Sequence, residues 1–154
     1  MTDLLGKLTI MSLDGVGGPI IAQYNPKELA MDKSVPWQKS PTASGDTPEL
    51  QFTSAEGRSL SFELFFNGYE DHKNVHTTYI EPLLVLTKVM DPSGPEDKRR
   101  PPRVQIRWAG FIFEGVIESV STKYTMFLPD GSPCRCTASV KCKEASRATG
   151  GKAK

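Results

Sequence analysis

His72 and His76 stand four residues apart, the spacing that sets two imidazoles on one helical face and serves zinc in HExxH-type motifs. That chemistry needs a glutamate beside the first histidine, whereas Lys73, Asn74 and Val75 fill the interval. Glu70 and Asp71 are the nearest candidates for a third ligand, and the pair reads as an exposed helix start rather than a metal site. Cys134, Cys136 and Cys142 are spaced C-x-C and C-x5-C, and neither is a zinc-ribbon pattern. Cysteines two apart on a strand share a face but lie about 6.6 Å apart along it, which makes a Cys134–Cys136 disulfide awkward. Alternating with Ala138 and Val140, the three read as buried, reduced thiols. Gly15-Val16-Gly17-Gly18 lacks the Gly-Lys-Ser/Thr ending and following helix of a phosphate loop, since Pro19-Ile20-Ile21 reads as a strand. There is no Gly-x-Ser-x-Gly elbow, and both histidines sit beside the same helix start, so no Ser-His-acid triad can be assembled. The expectation is therefore a protein without catalytic residues, metal or cofactor.

The basic residues are the remaining candidates for recognition. Lys98, Arg99 and Arg100 are consecutive, with Arg103 and Arg107 alternating beyond them. A solvated loop, a docking patch for a protein partner and a nucleic-acid surface are all open to such a cluster. Nucleic acid is disfavoured: 19 lysines and arginines face 18 acids, a net charge of +1, and no aromatics interleave on that face.

The elements that carry these residues are mostly strands. Leu8 and Ile10 alternate with Thr9, and Pro19 to Tyr24 is a short apolar run that Asn25-Pro26 turns. Leu29, Met31, Val35 and Trp37 are all odd, and a polar loop from Gln38 to Thr47 follows. Leu50 and Phe52 flank another short strand, with Glu56-Gly57 as the turn after it. Leu60, Phe62, Leu64 and Phe66 share one face of a half-buried strand, against Ser59, Ser61 and Glu63 on the other; Phe65 breaks the pattern and suggests a second apolar surface. Val75, Tyr79, Leu83, Leu86 and Met90 predict one helix between Lys73 and Met90, bent or loose near Pro82. Asp91-Pro92-Ser93-Gly94-Pro95 stops it. Val104, Ile106 and Trp108 lead to a two-residue hairpin at Ala109-Gly110 and a long strand from Phe111 to Phe127. The apolar phase switches from odd to even in that strand, which suggests a β-bulge at Gly115. Pro129-Asp130-Gly131 turns into a last strand with the three cysteines on one face.

Many strands and one helix predict a mainly β (α+β) domain, an antiparallel barrel or sandwich with one flanking helix. Residues 1–145 are expected to form it, with 146–154 as a flexible basic tail. The longest apolar run, Leu83 to Leu86, is far short of the roughly 20 residues of a membrane-spanning helix. With no secretory signal visible, the expected site of folding is the cytoplasm, without direct membrane insertion.

An ordered set of short motifs carries a resemblance. Tyr24-Asn25-Pro26-Lys27-Glu28-Leu29, Trp37, Leu50-Gln51-Phe52 and the run from Leu60 to Phe66 precede the helix. Arg100-Pro101-Pro102-Arg103-Val104, Trp108 and Phe113-Glu114-Gly115-Val116 follow it. Tyr124-Thr125-Met126-Phe127 and Asp130-Gly131-Ser132-Pro133 close the set. In this the chain resembles the tube-type proteins of contractile injection systems, including the baseplate tube initiator or adaptor of phage-tail-like particles. The motif positions are Tyr24, Asn25, Pro26, Trp37, Phe52, Phe62, Phe66, Pro102, Trp108, Gly115, Phe127 and Pro133. Asn67 stands where the family usually has an acid after the Phe-Phe pair, and Trp108 is followed by Ala109 rather than glycine.

The resemblance implies the tail-tube fold and a homo-hexameric ring between the spike hub and the inner tube, lining the effector conduit. The implied partners are the spike/hub protein, the inner tube protein and other baseplate proteins, with no nucleic acid. It implies assembly in the cytoplasm into a phage-tail-like particle that is released or membrane-anchored. Lys98, Arg99 and Arg100 are the candidate docking loop. The alternatives are the bulk inner-tube subunit and a monomeric β-barrel ligand-binding module.

Overall fold

In the structure, a computed structural model, residues 6–40, 45–53, 57–146 and 148 are described. The strands are β1 (Thr9–Ser12), β2 (Ile20–Ile21), β3 (Ala30–Lys33), β4 (Trp37–Lys39), β5 (Leu50–Phe52), β6 (Arg58–Asn67), β7 (Val104–Trp108), β8 (Phe111–Phe127) and β9 (Pro133–Glu144). Seven of them form one antiparallel sheet in the order β2-β1-β7-β8-β9-β6-β3, and β4 pairs with β5 as a separate two-stranded ribbon. This is the mainly β architecture expected, with the helical segment on one face.

The two-residue period of each strand decides the core. Leu60, Leu64 and Phe66 of β6, Val104 and Ile106 of β7 and Phe113 of β8 are fully buried, as are Cys136, Ala138 and Cys142 of β9. Ile10 of β1 and Leu8 just before it join the same cluster, so one face of the whole sheet coils around a single core. The coil stops short of a barrel closed by strand pairing. Gln23, just past β2, instead exchanges two hydrogen bonds with Asn67 at the end of β6: the Gln23 Nε2 donates to the Asn67 carbonyl and the Asn67 N–H donates to Gln23 Oε1, both at 2.8 Å. Trp108, on the face of β7 that carries buried Val104 and Ile106, is half-buried and packs against the core.

The helix is shorter and less regular than its periodicity suggests. A π-helical turn, His76–Ile80, runs into helix α1, Glu81–Val85, with Pro82 in its first turn. Pro82 has no N–H to close an α-helical bond to the turn before it. The preceding turn widens instead, and the Glu81 N–H donates to the His76 carbonyl five residues back. Val75, Ile80, Leu83 and Leu86 are buried against the sheet, and Phe66 stacks on Tyr79 with ring centroids 4.4 Å apart.

Two further expectations shift. The odd-numbered stripe from Leu29 to Trp37 is split into β3 and β4, and Met31, Val35 and Trp37 are all exposed. The bulge of β8 lies three residues beyond Gly115: Ile117 pairs with Cys142 and Ser119 with Lys141, leaving Glu118 as the extra residue. Gly115 has a different job, since a Cβ there would stand 2.0 Å from the Lys143 carbonyl oxygen on β9. At Ala109-Gly110 the two-residue hairpin forms between the paired Trp108 and Phe111, with Ala109 left-handed at φ 51°. Pro41 to Ser44 of the polar loop, Glu56 of its turn, and all of the tail but Ser146 and Ala148 lie outside the described residues.

Candidate functional site

The residues singled out for chemistry stay apart. His72 is left-handed at φ 53° in the turn before the helix, so it shares no helical face with His76. His76 instead contacts the Tyr124 hydroxyl through Nδ1, and its Nε2 lies 3.6 Å from Glu81. Burial raises the pKa of that tyrosine. Cys134, Cys136 and Cys142 are free and buried. Burial pushes the Cys136 thiol up to about 11 and the Cys142 thiol up to about 12, so neither is a nucleophile near neutrality. Among the described residues no three His, Cys, Asp or Glu side chains gather as a metal site. No helix among them is long and apolar enough to cross a membrane.

The motif residues divide into a buried scaffold and an exposed set. Asn25 acts as a substitute strand: its Oδ1 accepts from the Leu8 N–H at 3.0 Å and its Nδ2 donates to the Gly6 carbonyl at 2.7 Å. Pro26, Phe62, Phe66, Pro102 and Gly115 are buried, and Pro133 opens β9 half-buried. Tyr24, Trp37, Phe52 and Phe127 are instead 48–58% exposed. Tyr24 tilts against exposed Phe65 at 5.7 Å, the outward apolar contact that Phe65 foreshadowed. Trp37 and Phe52 meet edge to face at 5.5 Å across the β4–β5 ribbon.

The basic loop is largely occupied within the chain. Arg100 Nη1 and Nη2 donate to Asp14 at 2.9 and 3.3 Å, and the Arg103 N–H donates to the same carboxylate at 2.8 Å. The Arg100 hydrogen bond is the main cause that holds Asp14 below its ordinary carboxylate value. Arg99 donates to the Gly94 carbonyl at 3.1 Å, and the exposed Lys98 adds a weaker charge attraction to Asp14. The Asp14–Arg100 tie joins residues 86 apart in sequence, and no local pattern announces it.

The outer face and edges of the sheet remain. Ser61, Ser119, Ser121, Thr137 and Ser139 floor a shallow groove of ≈ 940 Å³ on β6, β8 and β9, walled by Tyr24 and Phe65. A second groove of ≈ 690 Å³ lies at the other end, lined by Gly57, Arg58, Ile112, Glu114 and Glu144. β3 ends the sheet on one side. On the other, β7 covers β8 only as far as the Val104–Gly115 pair, so among the described residues β8 from Val116 to Phe127 has β9 as its one strand neighbour. The arrangement offers strand edges and faces for association.

A family model described as "Contractile injection system tube protein" matches residues 7–153. No curated protein matches the chain. Among solved structures, the tail of an empty GTA particle, computed with helical refinement and C6 symmetry, is similar over 96% of each chain, with 16% identity and a TM-score of 0.40.

Proposed function

The chain belongs to the contractile injection system tube protein family, and from that premise we propose that it assembles head to tail into a closed ring, a hexamer, that joins the spike hub to the inner tube and lines the conduit. The observation that carries this reading is the pair of free edges on the β3-β6-β9-β8 part of the sheet. Each neighbour in that order is antiparallel, so β3 runs opposite to β8. A copy rotated about an axis along the strands therefore presents its β8 edge to β3 in antiparallel orientation. Repetition closes a ring and removes both edges from water.

The outer face of the same strands suits a wet conduit. Its floor is serine and threonine, and charges of both signs flank it: Glu63 on β6 accepts from Ser139, and Lys141 lies beside them. Hydroxyls and paired charges keep that floor wetted between the Tyr24 and Phe65 walls. Lys98 is the remaining part of the basic loop suited to dock against an acidic partner such as the hub.

Mixed single-cysteine variants test the seam. Asp32→Cys on β3 is combined in turn with Ser119→Cys, Ser121→Cys and Lys123→Cys on β8, three positions because closing a ring staggers the strands; all four residues are exposed. The native cysteines are buried and do not compete. A disulfide-linked dimer from one mixture, in a sample that sediments as a ring, supports the reading. Monomers at micromolar concentration with no link in any mixture overturn it. Six copies per particle identify a single adaptor layer, and a large multiple of six identifies the bulk tube.

A further inference from the structure

The dipeptide Asn67-Gly68, where β6 ends, carries a chemistry of its own. The side-chain amide of an asparagine is open to attack by the backbone nitrogen of the residue that follows, and glycine hinders that attack least. Of the chain's three asparagines, Asn25 precedes Pro26, whose nitrogen has no proton to lose, and Asn74 precedes the branched Val75. Asn67 is the labile one. The fold nevertheless calls for both residues of the dipeptide. Gly68 is buried, and a Cβ there would stand 2.9 Å from both the Cβ and the carbonyl oxygen of Lys73. Asn67 Oδ1 accepts from the Tyr69 N–H at 3.1 Å and turns the chain out of β6.

The reacting nitrogen is clamped. The Asn67 carbonyl and the Gly68 N–H belong to one planar peptide unit. Gln23 Nε2 donates to that carbonyl at 2.8 Å, and the N–H donates to the Cys134 carbonyl at 2.7 Å. The Asn67 N–H, donating to Gln23 Oε1 at 2.8 Å, fixes the unit before it. Attack requires the Gly68 nitrogen to swing toward Asn67 Cγ, and that rotation breaks the bonds on both sides of the plane together. The two hydrogen bonds that seal the gap between β2 and β6 therefore also restrain the reaction.

We propose that Asn67 is a deamidation site that the Gln23 amide holds shut, so that opening the gap starts an irreversible change in the subunit. Once the gap is open, the Gly68 nitrogen bonds to Asn67 Cγ. Its proton passes through water to the side-chain nitrogen, which leaves as ammonia. Water then opens the five-membered succinimide at one of its two carbonyl carbons. Breaking the new bond from Cγ to the Gly68 nitrogen leaves an aspartate in the original main chain. Breaking the old peptide bond leaves an isoaspartate, with the main chain routed through Cγ. Either way one water is consumed, one ammonia is released and one carboxylate is gained. The isoaspartate lengthens the main chain by a methylene, so Gln23 and Cys134 cannot both regain their partners and the gap stays open. The proposal stands apart from the ring reading, and its test needs only the folded subunit.

Incubation at mildly alkaline pH, followed by peptide mass mapping and isoaspartate measurement, tests the guard on folded protein, on protein unfolded in urea and on two folded variants. Unfolded protein should convert Asn67 fastest and folded protein slowest. Gln23→Ala removes both bonds of the seal and should speed conversion in the folded state by about tenfold, because the reaction follows the population of the opened form. Gln23→Glu keeps the acceptor for the Asn67 N–H and loses only the donor to the Asn67 carbonyl; it should give a smaller increase, and it serves if Gln23→Ala fails to fold. Hydrogen exchange at the Gly68 amide should rise in the same order. Asn74, outside the seal, is the internal reference and should convert at an unchanged rate. Equal Asn67 rates in folded and unfolded protein overturn the proposal, as do unchanged rates in both variants. An Asn74 rate that rises in step with Asn67 also overturns it, since global unfolding rather than the Gln23 seal would then control the reaction.

Discussion

Replacing Phe66 by alanine should destabilise the subunit by about 4 kcal/mol. Phe66 is fully buried at the end of β6, and its ring stacks on Tyr79 at 4.4 Å with planes 10° apart. Removing a buried phenylalanine costs about 3–5 kcal/mol, as lost transfer energy and residual cavity. The stack contributes about 0.5–1.5 kcal/mol of coupling within that loss. With a urea dependence of about 2 kcal/mol per M, the unfolding midpoint should fall by about 2 M. The same ring ties the sheet to a helical segment whose α-helical part is only five residues long, so helix and sheet should loosen together. Equilibrium unfolding followed in parallel by tyrosine fluorescence and far-ultraviolet dichroism measures both effects. A double-mutant cycle of Phe66→Ala with Tyr79→Ala isolates the stack. A loss below about 1 kcal/mol for Phe66→Ala, or a coupling of zero, would refute the assignment of this ring pair as the joint between sheet and helix.

Other perturbations probe other links. The Arg100 hydrogen bond lowers Asp14 below its ordinary 3.8, so its stabilisation is complete above that value and is lost as pH falls through the lower, folded value; Asp14→Asn should flatten the stability profile in that acid window, measured by urea unfolding from about pH 5 to 2. With thiols at about 11 and about 12, Cys136 and Cys142 should resist iodoacetamide at pH 8 in the native protein and react once it is unfolded; rapid native alkylation would contradict their burial. Gly115→Ala would force the β8 and β9 backbones apart and should cost about 1–3 kcal/mol in unfolding experiments, against no measurable change if the strands can separate freely. Lys98→Glu spares the Asp14–Arg100 tie and should reduce the yield of complete particles at an unchanged subunit melting temperature; normal yield would remove Lys98 from the docking surface.

Much of the sheet was legible because its strands obey a period of two with large side chains. Leu60, Phe62, Leu64 and Phe66 announce β6 and its buried face without outside help. The same rule misplaces the β8 bulge, because Val116 and Ile117 are both apolar and either one can serve as the inward residue. Only pairing with Cys142 on a strand 25 residues later selects Ile117. The stripe from Leu29 to Trp37 misleads for another reason: Leu29 packs on the core, but Met31, Val35 and Trp37 are left exposed by it. Periodicity reports that a face is apolar, not which molecule buries it. The basic run fails in the opposite direction, since three consecutive cations look free until Asp14, far away in sequence, is folded against Arg100.

The way the sheet stops is itself an argument about assembly. A coiled sheet whose first and last parts meet could close by strand pairing and leave no edge at all. Here the Gln23 amide seals the gap to Asn67 with two side-chain hydrogen bonds, so the core is protected in a single copy while strand edges are kept for use. Those edges are guarded against casual partners. β3 is only four residues long and carries Asp32 and Lys33, and the pairing of β8 is interrupted after Ile117, after Tyr124 and after Met126, with Lys123 between the first two irregularities. Short edges, charges and bulges all disfavour indiscriminate pairing. A partner must match an irregular β8 and a short β3 at the same time, and a second copy in head-to-tail register supplies both. In this reading, the features that make the edges poor templates for aggregation also make them selective for a ring.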